Sequence, residues 1–255
     1  MRIRTALITL ACLLAFGAGR IPIENHLAAR HGAAGLNTAQ LDLSLRQRIG
    51  QMSFLAALSG FRAVVADLLW IEAHSAWERT EWGRMKLLLD TVTALQPRAI
   101  LFWDNAAWHM AWNASVAARE DRSQPREALR IRNQREYFKA GEDFLLRGIQ
   151  NNPSSALLHE RLGLLYQDKF RDPARAAEAF QRSAQLPGAS QYVHRFALYQ
   201  LALVPGREAE AYACLKALYQ KSKQEHLPTL LRRLQDLEKK LSVPPDQRLP
   251  ILESP

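Results

Sequence analysis

Residues 153–187, PSSALLHERLGLLYQDKFRDPARAAEAFQRSAQLP, decide how this chain folds. Two apolar series at helical spacing stand in it, Leu162-Gly163-x-x-Tyr166 and Ala176-x-x-x-Phe180, divided by Asp172-Pro173. Proline is accepted at a helix start but not in a helix interior. Pro173 therefore opens a second helix, and Pro187 stands beyond its end. The stretch reads as helix, turn, helix. Gly163 and Ala176 are small where two antiparallel helices must cross closely. Tyr166 and Phe180 are large enough to fill the wedge between that pair and its neighbour.

The same punctuation recurs along the chain. Leu95-Gln96-Pro97, Asn151-Asn152-Pro153 and Gln185-Leu186-Pro187 each end one helix and precede another. Pro153 and Pro187 are 34 residues apart, whereas Pro97 and Pro153 are 56 apart. A helix–turn–helix unit of that shorter period, carrying Leu162, Gly163, Tyr166, Ala176, Phe180 and Pro187, resembles a tetratricopeptide repeat. It is one residue longer than the common pattern between Gly163 and Ala176. In the preceding unit Trp103, Ala106-Ala107 and Met110 match the first helix, and Ala140-x-x-x-Phe144 the second. The excess there falls at about 119–136, where Ser123-Gln124-Pro125 marks an inserted loop or helix extension.

Weaker units flank these two. A helix from Phe61 to about Trp82 carries Ala66, Leu69-Trp70, Ala73 and Trp77 on one face, and a shortened partner, opened by Gly83, runs from Leu87 to Leu95. Phe196-Ala197 and Ala209 mark a later degenerate unit, and a helix over 230–241 caps the array. The resemblance spans residues 64–220. It implies an all-α fold, a right-handed solenoid of stacked antiparallel helix pairs over 38–242, followed by a Pro-rich tail at 243–255. Ala66-Asp67-Leu68-Leu69-Trp70, Leu95-Gln96-Pro97-Arg98 and the run Trp103 to Asn113 also resemble a set of uncharacterised bacterial membrane-anchored repeat proteins. That likeness implies architecture and anchoring, and no reaction.

Composition agrees with a folded helical protein: 48% hydrophobic and 23% charged residues, with Ala, Leu, Arg, Glu and Gln abundant. The net charge of +9 raises nucleic acid and anionic lipid as partners. The basic residues are interleaved with acids, as in Arg119-Glu120-Asp121-Arg122, which is the pattern of solvated helix faces. No nucleic-acid partner is expected. The two cysteines, Cys12 and Cys214, provide no disulfide framework, because Cys12 lies in the N-terminal apolar run.

Met1-Arg2-Ile3-Arg4 followed by the uncharged run Thr5 to Gly19 is the pattern of a secretory signal or signal anchor over residues 1–20. The run is shorter than the ~20 residues that span a bilayer comfortably, which favours cleavage. Ile21-Pro22-Ile23 and a snorkelling Arg20 favour retention as an apolar anchor helix. Basic charge on the first side predicts a cytoplasmic start and an extracytoplasmic, periplasmic bulk. Residues 21–37 form a linker, and Leu41, Leu45, Ile49 and Met52 recur at helical spacing up to Gly60. A second apolar zone, Met52 to Ile71, is broken by Arg62 and Asp67, each costing ~2.5–3.5 kcal/mol at a bilayer centre. It is not expected to span.

Chemistry concentrates in Trp103-Asp104-Asn105-Ala106-Ala107-Trp108-His109-Met110-Ala111-Trp112-Asn113. The repeat register implies that Asp104, Trp108 and Trp112, with Glu160 and Gln167 of the next unit, face a concave surface and bind a partner. The alternative is that the tryptophans pack between helices. Asn105, His109 and Asn113, four residues apart, share one helix stripe. Asp67, set among Val64, Val65, Leu68 and Leu69, needs a partner there. Together these four are read as a polar clasp; the alternative is an envelope enzyme acting through Asp67, Glu72, Asp104 and His109. No metal-binding spacing, phosphate-cradling glycine loop or nucleophile elbow is present, so no metal, cofactor or small-molecule substrate is expected. The expected function is a non-enzymatic scaffold that binds a protein or peptide at a bacterial inner membrane, held there through residues 5–19.

Overall fold

The computed structural model describes residues 50–52 and 61–250. The readings of a signal or anchor, the linker, most of the amphipathic run before Gly60, and the last five residues lie outside them. The described residues are helical, with no strand among them. Helix α1 is Arg62–Glu78 and α2 is Trp82–Leu95. Helix α3 occupies residues 100–120, as Ile100–Trp108, a π-helical segment His109–Ala114, and Ser115–Glu120. Helix α4 is Glu127–Asn151. Helix α5 runs Ala156–Leu165 and ends in a π-helical segment, Tyr166–Phe170. Then come α6 (Pro173–Ala184), α7 (Val193–Leu201), α8 (Glu208–Lys221) and α9 (Pro228–Lys240).

Each helix packs most closely on its neighbours in the chain: α1 on α2, α3 on α4, α5 on α6, α6 on α7, and α8 on α9. Helix α5 also packs on α4, and α3 touches α5 across the α4 connection. The first pair shows how sequence makes such contacts. Ala66, Leu69, Ala73 and Ala76 of α1 recur at three- and four-residue spacing and are all buried. Met85, Leu88, Leu89 and Val92 of α2 are buried in turn. The opening of α2 differs from the expected one. Chain reversal is made by Thr80, at φ +58, and α2 begins at Trp82 with Gly83 inside its first turn.

Glycine sets the closest approaches. A Cβ on Gly163 would lie 2.6 Å from Phe180 Cδ1, and one on Gly148 would lie 2.9 Å from Trp103 Cβ. Residues 163 and 180 therefore meet as the sequence pattern requires of a tight α5–α6 crossing. Asp172 caps α6 by accepting from Arg175 N at 3.0 Å, with Pro173 in the first helical turn. Two of the look-alike turns are tied together: Asn152 Nδ2 and Trp103 Nε1 both donate to the Pro97 carbonyl, at 2.9 and 3.0 Å. Ser183 Oγ donates to Ala156 O at 2.8 Å and ties the end of α6 to the start of α5.

The long interval between Pro97 and Pro153 is taken up by helix length. Helix α3 extends to Glu120, a loop occupies 121–126, and α4 has 25 residues whose first half contains no buried residue. A π turn holds one residue more than an α turn. The Tyr166–Phe170 segment, closed by Arg171 at φ +54, supplies such a turn between Gly163 and Ala176. At the C-terminal side Leu215, Leu230, Leu234 and Leu237 form a core with Tyr199 and Leu201. The tail folds back onto it: Leu249 packs there, and its N–H donates to the buried Glu238 at 2.9 Å.

Candidate functional site

The face carried by α3, α5 and α7 holds most of the residues singled out for partner binding. Helical spacing places Asp104, Trp108 and Trp112 in one row on α3. Asp104 Oδ1 accepts from Arg161 Nε of α5 at 3.0 Å, joining residues 57 apart in the chain. Burial pushes the Asp104 carboxyl up from the ordinary range. The Arg161 guanidinium opposes that shift, and nearby Glu160 adds to it. Trp108 is 46% exposed, its indole edge-on to the His109 ring at 4.9 Å between centroids. Trp112 is half-buried, with Lys169 Nζ of α5 over its ring at 5.0 Å.

Glu160 is not available to a partner, which corrects its assignment to the binding surface. It is 3% exposed and takes hydrogen bonds from Tyr192 Oη at 2.7 Å and Ser190 Oγ at 3.2 Å, with Arg161 Nη1 at 3.4 Å. A buried carboxylate needs this many donors, and here they bind α5 to the start of α7. Gln167 is half-buried and accepts from Gln200 Nε2 at 2.7 Å, a second polar tie between the same helices.

The four-residue clasp does not form. Asp67 is exposed on the outer side of α1, beside Val64 and Leu68, which are 53% and 54% exposed. Its apolar neighbours in sequence do not enclose it, so the carboxylate needs no buried partner. Asn105 turns back on its own helix and donates to Leu101 O at 3.1 Å. What remains is a pair: Asn113 Nδ2 meets His109 Nδ1 at 3.1 Å inside the π segment. His109 is buried between Trp108 and Trp77 of α1, the latter ring at 5.7 Å. Burial, with His74 nearby, pulls its pKa down to about 4, so the ring is neutral at physiological pH and Nδ1 accepts the amide proton. Glu72 is engaged elsewhere, in an ion pair with Arg84 of α2. The carboxylates and the imidazole of the enzymatic alternative are thus not gathered at one point.

The repeat-signature residues are central to packing. Leu162, Tyr166, Ala176 and Phe180 are buried, Tyr166 Oη donates to Glu142 Oε1 at 2.9 Å, and Pro187 is exposed in the α6–α7 turn. Burial and the Glu142 carboxylate push the Tyr166 hydroxyl up to about 12. Arg161, Lys169, Tyr192 and Gln200 were not singled out from the sequence. Their only signal was a polar residue facing inward at first-helix positions, which becomes visible once the pairing of α3, α5 and α7 is known. Among the described residues no group of three or more His, Cys, Asp or Glu side chains is placed to hold a metal ion. No helix there is long and apolar enough to cross a membrane. No family model matches the chain, and neither a curated protein nor a solved structure is significantly similar to it.

Proposed function

We propose that the chain is a protein-interaction scaffold of the tetratricopeptide type, a right-handed solenoid of helix pairs that binds a protein partner through the α3–α5 face. The observation that carries this reading is Trp108. It is a large aromatic left 46% open, braced by a neutral His109 on one side and followed along its row by the Lys169-covered Trp112. Rigid, half-exposed tryptophans beside fixed charges are the usual anchors of protein interfaces. Asp104, Trp108, Trp112 and Gln167 form the contact surface in this reading, with Arg161 and Lys169 setting its charge. The N-terminal segment 5–19 anchors the scaffold in a bacterial inner membrane, with the helical array on the periplasmic side. No turnover is assigned to it.

Site-specific photocrosslinking in intact membranes tests the proposal. A photoreactive residue at position 108 of the full-length chain should capture one discrete partner, and Trp112→Ala should reduce that capture. The same residue at position 139, exposed at the middle of α4, should capture little. Equal capture at 108 and 139, or none at either, would refute the scaffold reading.

A further inference from the structure

A cavity of about 530 Å³ opens between the end of α5, the start of α6, α7 and α9. That volume falls in the range of small-molecule sites, ~300–1,000 Å³. Arg171, Arg233, Gln167, Gln200, Tyr199 and Thr229 supply its polar lining, and Pro173, Phe196 and Leu203 its apolar wall. Two guanidinium side chains line it and no carboxylate does.

Two donors in this lining are orphaned. The Tyr199 hydroxyl has no hydrogen-bond partner although the residue is only 7% exposed. Arg233 Nε is likewise buried without a partner. Leaving buried donors unpaired is costly, and folded proteins pair the great majority of them. Elsewhere on the same helices polar groups are matched, Glu160 with Tyr192 and Arg195 with Glu225 at 3.3 Å, and within the cavity wall Gln200 donates to Gln167. Among the described residues the other buried donors without a partner are the Nε atoms of Arg84, Arg130 and Arg147, on α2 and α4, and Tyr199 is the one buried hydroxyl left unpaired. Burial pulls the Arg233 guanidinium down, an effect that Arg232 strengthens and Asp236 opposes. A bound anion would reverse that penalty. Arg171 adds a second peculiarity. It holds a left-handed backbone at φ +54, a conformation that favours Gly or Asn, yet it carries a cation to the rim of the cavity.

We propose that this cavity binds an acidic group, a carboxylate or a phosphate, carried on an apolar body. Arg233 and Arg171 grip the anion, whose oxygens suit the planar guanidinium fork. Tyr199 donates from the wall, and Phe196, Leu203 and Pro173 receive the apolar part. Gln167 borders both this cavity and the Trp108 surface, but Arg171, Arg233 and Tyr199 belong to the cavity alone, and its occupancy does not depend on the scaffold reading.

Calorimetric titration of the full chain with phenylacetate, phenyl phosphate and neutral phenylacetamide tests it. At least one acid should bind saturably, at least about tenfold tighter than the amide. The tighter of the two acids tells which anion the cavity takes. Arg233→Met should weaken that binding at least about tenfold, while Arg232→Met, on the exposed side of α9, should leave it unchanged. Arg171→Asn keeps a residue suited to the left-handed backbone, and should lower affinity several-fold with no loss of melting temperature. It decides the matter alone if Arg233→Met fails to fold. Binding of the amide as tight as that of the acids, no saturation by either acid, or wild-type affinity in the folded arginine variants would overturn the proposal.

Discussion

Replacing Gly163 by alanine puts the α5–α6 crossing to the test, because two opposing effects of known size meet there. In a helix interior alanine is favoured over glycine by about 1 kcal/mol. Against that, the new methyl would stand 2.6 Å from both Cδ1 and Cε1 of Phe180 and 2.8 Å from its Cγ. The ring cannot simply swing away. Phe180 is fully buried, and Phe196 lies edge-on to it at 5.6 Å. Overpacking of a filled core costs typically about 1–3 kcal/mol, so the clash outweighs the propensity gain. A net destabilisation of about 1–2 kcal/mol is expected. The assay is urea unfolding followed by far-ultraviolet circular dichroism, for wild type, Gly163→Ala, Phe180→Leu and the double variant. Phe180→Leu removes ring volume and destabilises by itself. In the double variant the methyl occupies the vacated space, so its loss should be smaller than the sum of the single losses by about 0.5–2 kcal/mol. If Gly163→Ala is as stable as wild type or more so, or if the two losses simply add, the close crossing is not what glycine is there for.

Other expectations follow from the polar sites. His109, with its pKa pulled down to about 4, binds its proton later than the unfolded chain does. The unfolded state thus holds more protons between about pH 6.5 and 4, and stability is full above that window and falls as the pH drops through it. The ring's proton resonances should titrate near pH 4 in the folded protein, and a midpoint near 6.5 would contradict its burial. Glu160→Ala should cost about 1–2 kcal/mol in urea unfolding, because it removes the buried acceptor shared by Tyr192, Ser190 and Arg161; a loss below about 0.5 kcal/mol would show that the tie is inessential. Arg171→Gly, which relieves a left-handed backbone at an exposed position, should raise stability by up to about 1 kcal/mol, and a lower melting temperature would argue that the Arg171 side chain holds the α5–α6 turn.

Much of the fold was legible because helix, turn and close crossing are written locally. Pro173, Pro187 and the capping Asp172 act within a few residues of where they stand. Gly163 and Phe180 lie on adjacent elements, so their meeting follows from spacing once both helices are assumed. Helix ends were less secure. Gly83 stands where a glycine could open the helix, yet Thr80 makes the reversal, in a left-handed backbone that a β-branched residue rarely takes and that no local pattern announces.

The site was less legible, and the reason is distance along the chain. Asp67 stands among apolar residues in sequence, but in a helix those neighbours point in different directions, and which direction is inside depends on where α2 and α3 lie. Glu160 looked like a surface acid until Tyr192 and Ser190, some thirty residues on, proved to close over it. Asp104 and Arg161 meet only because α3 and α5 run side by side. The sequence alone determines that the described residues are helical and that Gly163 and Phe180 meet at a close helix crossing. Which charges are buried, which tryptophan stays open, and where two arginines face a cavity without an acid were decided by tertiary packing. Solvent exclusion and charge pairing are properties of the space between helices, and no local pattern encodes that space.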